Sequence, residues 1–100
     1  MENILKRANE IVNERSEEKS RNYGPYNESM ERAARILSEM TGVTQKPELI
    51  YKTLIAIKLS RESYCHKEDN LLDAVAYMGA LNNYIHRNDL ETHEIKNLKL

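Results

Sequence analysis

The stretch from Pro47 to Tyr64, PELIYKTLIAIKLSRESY, decides the fold class. Leu49, Ile50, Leu54, Ile55, Ala56, Ile57 and Leu59 spread round most of a helix circumference, with no alternation of period two. Pro47 suits a first helical position, where its missing N–H costs nothing. The stretch is expected to be the central, most buried helix of an all-α domain. Upstream, Met30, Ala33, Ala34, Leu37 and Met40 form the apolar stripe of a helix from about Asn27 to Thr41. Asn27 suits its N-cap, and Gly42 the residue after its C-cap. Further upstream, Arg15 to Pro25 is polar and closes on Tyr23-Gly24-Pro25, which reads as a loop and turn. Ile4, Leu5, Ala8, Ile11 and Val12 before it have the spacing of an amphipathic helix from Glu2 to about Glu14.

Downstream, a helix is expected from Glu68 or Asp69 to about His86, with Leu71, Leu72, Val75, Met78 and Leu81 or Ile85 facing inward. Its acidic first turn agrees with the helix dipole. The tail from Asn88 to Leu100 carries Leu90, Ile95 and Leu98, which suggest a short fifth helix docked on the bundle or on another subunit. The expected architecture is one four-helix, bundle-like domain over residues 1–100, with its core in 2–87 and its tail in 88–100.

The composition narrows the function classes. Fifteen Lys+Arg stand against 16 Asp+Glu, a formal charge of −1, so the domain as a whole has no attraction for nucleic acid or an anionic membrane. A local basic pocket is compatible with that balance. No apolar run approaches the length of a membrane span, and Met1-Glu2-Asn3 does not open like a secretory signal. Cys65 is the one cysteine, which rules out an internal disulfide and points to a reducing cytoplasm.

Two carboxylate pairs stand out. Glu28 and Glu31 lie three apart at the start of one helix, and Asp69 and Asp73 four apart at the start of another, with Asn70 and Tyr77 alongside. Two helices that each present a pair of oxygen ligands can build a magnesium site, completed by waters and substrate phosphates. Glu28 or Glu31 would alternatively orient an attacking water as general base. The plain alternatives are a solvated first turn for the glutamates and a helix cap for Asp69. Lys58 and Arg61 interrupt the most apolar helix, so each must reach water, pair with a carboxylate such as Asp73, or meet a ligand phosphate. Arg15, Lys19, Arg21 and Tyr23 gather before the second helix, either as a charged loop or as a ligand contact. Tyrosine is the only aromatic residue type, so most tyrosines must fill the core; a minority remain to stack on a base. Cys65-His66 lacks the further Cys or His of a zinc set, and three isolated glycines make no phosphate loop.

The ordered motifs Arg21-Asn22-Tyr23-Gly24, Glu28 opening a helix that ends at Gly42, Lys58 with Arg61, and His66-Lys67-x-Asp69-Asn70-x-x-Asp73-x-x-x-Tyr77 carry a resemblance over about Ile4 to Tyr84. They resemble a small phage and prophage family of unassigned function. That family is similar to the all-α nucleoside-triphosphate pyrophosphohydrolases of MazG and dimeric dUTPase type, which hold magnesium on a Glu-x-x-Glu and a Glu-x-x-Asp pair. Glu28-x-x-Glu31 matches the first pair; Asn70 replaces the glutamate of the second, with Asp69 one residue earlier. The resemblance implies a magnesium-dependent hydrolase, with Glu28, Glu31, Asp69 and Asp73 on the metal. Lys58 and Arg61 would hold the phosphates, with Asn70 beside them and Tyr23 or Tyr77 near the base. A homo-oligomer is expected, because a small bundle builds a roomy pocket most easily between subunits. The second expectation is a non-catalytic sponge for a cyclic or modified nucleotide used in host defence against phage. The third is a helical adaptor that binds a protein through its tail.

Overall fold

The computed structural model describes the backbone of residues 3–14 and 26–98, and the side chains of 3–14 and 27–87. Among these residues there are four helices and no strand: α1 (Ile4–Asn13), α2 (Tyr26–Thr41), α3 (Pro47–Tyr64) and α4 (Glu68–Leu98). The fold is all-α, as the periodicity requires, and no helix among the described residues is long and apolar enough to cross a membrane.

The helix ends follow local chemistry. Asn3 caps α1 by accepting from the Leu5 amide at 2.9 Å. Gly42 sits at φ +72°, the left-handed conformation that ends a helix, and its amide donates to the Ser38 carbonyl at 2.9 Å. Ser38 Oγ then accepts from the Gln45 amide at 2.8 Å, which pins the turn that leads into Pro47.

Three expectations are corrected. The segment after His86 is not a separate fifth helix: α4 runs unbroken to Leu98, because no Gly or Pro follows Gly79 to end it. Nor is α3 the most buried helix. Only Tyr51 on it is fully buried, while Leu49, Ile57 and Leu59 are each more than 40% exposed. The central element is α4, which carries the buried Asn70, Leu72, Ala74, Ala76, Ala80 and Tyr84. Leu72 and Ala76 pack with Ala8 of α1, while Ala80 and Tyr84 pack with Met30 of α2 and Tyr51 of α3. Alanine's small side chain lets neighbouring helices approach α4 closely, and a residue of modest hydropathy thereby holds the middle of the core. Met78, expected to face inward, is 46% exposed; of the alternatives Leu81 or Ile85, Leu81 packs against the core and Ile85 is 43% exposed.

Gly79 sits mid-helix on α4 without a steric reason, since a Cβ there would meet nothing within 4 Å. Gly79→Ala is therefore expected to stabilise the fold by about 0.5–1 kcal/mol, read by calorimetry as a melting point several degrees higher. An unchanged or lowered melting point would overturn this reading of the backbone.

Candidate functional site

The corner between α3 and α4 is tied together by one carboxylate. Cys65 N–H donates to the Arg61 carbonyl at 3.1 Å and ends α3; Asn70 N–H donates to the Lys67 carbonyl at 3.0 Å and begins α4. Glu62 reaches across the break. Its Oε1 accepts from the Lys67 amide at 2.9 Å, and its Oε2 pairs with His66 Nδ1. The bond from His66, reinforced by the Lys67 amide, holds the Glu62 carboxyl below the usual carboxylate range, against the opposing effect of partial burial.

A group whose pKa is depressed on folding adds stability above its unfolded value and loses it as pH falls through the folded one. The contribution of Glu62 is thus complete above about pH 4.5 and fades on further acidification. Glu62→Gln is expected to melt lower than the parent at neutral pH, with the gap narrowing as pH falls below about 4.5. Parallel melting curves across that range would refute the role.

Beside this corner lies a cleft of about 650 Å³ lined by Ser60, Arg61, Tyr64, Cys65, Lys67 and Asn70. Arg61 and Lys67 are exposed, and neither forms an ion pair among the described residues. The Tyr64 residue is 94% exposed, an unfavourable state for an aromatic side chain in water. Asn70, 8% exposed, offers a carboxamide. A guanidinium and an ammonium suit phosphate oxygens, and an open ring suits stacking on a base.

The expected site residues divide between two places. Arg61 and Asn70 meet in this cleft. Lys58 lies one turn back and pairs with Asp73 at 2.8 Å, with side chains 20% and 37% exposed. Asp69 is exposed in the first turn of α4, and Glu28 is exposed in that of α2. Glu31 lines a separate hollow of about 370 Å³ with Arg35, Ser38 and Pro47. Pro47 and Lys58 are eleven residues apart on α3, about 16 Å at the helical rise, which separates Glu31 from Asp73. Among the described residues no group of three or more His, Cys, Asp or Glu is placed to hold a metal ion. The donor set within one chain therefore does not fit the expected magnesium site. Tyr77 packs on the cluster of Tyr51 and Tyr84. Tyr23, with Arg15, Lys19 and Arg21, lies outside the described residues.

Sequence reading missed Glu62 as the residue that organises the corner. Its signal was present: an acid four residues before His66 and five before Lys67, spanning a helix break. It also passed over Lys67, quoted within a motif but given no role, and took Tyr64 as one tyrosine among several.

Residues 3–85 match the family described as Domain of unknown function (DUF6378). That match covers most of the chain, and the chain belongs to this family. No curated protein and no solved structure matches it.

Proposed function

From membership of that family as the premise, we propose that this chain binds a phosphorylated nucleotide in the α3–α4 cleft, without a metal and without converting it. The reading rests on one observation: Arg61 and Lys67 line the same cleft with no carboxylate paired to either among the described residues, beside the exposed Tyr64. Arg61 takes phosphate oxygens through its fork and Lys67 adds a point charge. Tyr64 stacks on the base, and the Asn70 carboxamide contributes a hydrogen bond. Such a protein sequesters its ligand, as the sponge expected for a cyclic or modified nucleotide signal would. The exposed Ile36, Met40 and Val43 on and just beyond α2 support the expected homo-oligomer.

The test is thermal melting against nucleoside triphosphates and cyclic di- and trinucleotides, with magnesium or with chelator, followed by chromatography of the ligand. A ligand at about 100 times its dissociation constant adds about 2.7 kcal/mol of stability. The expected result is a shift of equal size in chelator and in magnesium, with the ligand recovered intact. Magnesium-dependent conversion of a triphosphate would instead establish the pyrophosphohydrolase that the resemblance implies. No shift with any nucleotide would leave the adaptor.

A further inference from the structure

On the opposite side of α4, a groove of about 240 Å³ runs between α1 and α4. Every residue that lines it is uncharged, and four are asparagines: Asn9, Asn13, Asn82 and Asn83. Three of them form a directed chain. Asn83 Nδ2 donates to Asn13 Oδ1 at 3.2 Å, and Asn13 Nδ2 donates to Asn9 Oδ1 at 2.7 Å. The chain leaves Asn9 Nδ2 at one end as a donor and Asn83 Oδ1 at the other as an acceptor, and Asn82 has no hydrogen bond among the described residues. Val12 and Val75 supply apolar walls. Gly79 opens the wall on α4: it has helical φ, and a Cβ there would meet only open space, so neither backbone geometry nor helix packing calls for glycine.

Asparagine and glycine are poor helix formers, so their concentration on the facing sides of two helices weakens both. A solubilising surface would use Lys or Glu there at no such cost. We propose that this groove is a second binding site, and that it takes an uncharged planar heterocycle of the nucleobase or nucleoside class. Carboxamides present a donor and an acceptor side by side, matching the edge of a base, while the valine methyls cover its faces. The absence of any cation from the lining excludes phosphate as the recognised group. The volume accommodates one base. The site is independent of the α3–α4 cleft and of the function proposed for it.

The test is a titration of the isotope-labelled full-length chain with adenosine, guanosine, cytidine and uridine, followed by NMR of side-chain amides and methyls. Nucleosides carry no phosphate for Arg61 and Lys67 to hold, and stacking in that cleft would move the Tyr64 ring signals rather than those of the groove. At least one nucleoside is expected to move the Asn9, Asn13 and Asn83 amides and the Val12 and Val75 methyls saturably. Gly79→Leu, which fills the groove, is expected to weaken that binding by about tenfold or more, and Asn13→Ala by about three- to tenfold. Arg61→Ala is expected to leave it unchanged. The proposal is overturned if no nucleoside gives a saturable shift, or if the shifts fall on other residues. It is equally overturned if both groove variants, shown to be folded by their spectra, bind as the parent does.

Discussion

Tyr51→Ala is expected to lower the unfolding free energy by about 3–5 kcal/mol, the range for truncating a large buried aromatic side chain. Tyr51 is 1% exposed and is the one large side chain among the described residues that is fully buried. Its ring lies 5.7 Å from that of Tyr84 at 39°, and Met30 and Ala80 complete the cluster. Those four residues come from α2, α3 and α4, so a cavity there loosens three helices together. The loss is a large fraction of the 5–15 kcal/mol that holds typical domains folded. Tyr51→Phe keeps the ring contact and is expected to cost less than half as much. Leu59→Ala, at a residue 43% exposed, is expected to cost under about 1 kcal/mol. Urea midpoints of the three variants check the ranking. A Leu59→Ala loss larger than that of Tyr51→Ala would contradict the packing described here.

That ranking inverts what hydropathy alone suggests, and it shows where the sequence is legible. Helix boundaries are local matters, written in Gly42 and Pro47, and the structure places α1, α2 and α3 within a residue or two of expectation. Which face each helix buries is a tertiary matter. Apolarity all round α3 is equally consistent with deep burial and with an exposed apolar flank; only the packing against α4 decides between them. Alanines carry too little hydropathy to mark α4 as the centre, although their smallness is what lets helices meet there.

The site divides in the same way. Lys58 interrupts an apolar helix and Asp73 belongs to a carboxylate pair, and the structure makes them partners of one another. Arg61 and Asn70 are expected side by side, and they do share a cleft. Convergence of the two carboxylate pairs depended on how α2 sits against α4, which no spacing along the chain encodes. Glu62 stayed hidden because its role exists only once His66 and Lys67 have been folded back onto it.

Arg61→Ala is expected to weaken nucleotide binding by about ten- to a hundredfold, the cost of removing a charge-assisted hydrogen-bond donor from a phosphate. Arg61→Lys keeps the charge but loses the planar fork, so it should recover only part of that loss. Lys67→Ala should weaken binding less, and affinity in the parent should fall as salt rises, because both cations are exposed. Asp73→Asn separates binding from hydrolysis. Its partner Lys58 is only partly buried, so breaking the pair is expected to cost no more than about 1 kcal/mol of stability. Nucleotide affinity should survive, since Asp73 lines no part of the cleft. Were Asp73 a metal ligand for a hydrolytic reaction, the same substitution would abolish magnesium-dependent turnover. Calorimetric titration of Arg61→Ala and Asp73→Asn side by side reads the difference directly. Loss of affinity in Asp73→Asn with affinity kept in Arg61→Ala would move the site away from the corner that Glu62 builds, to the carboxylates of α4.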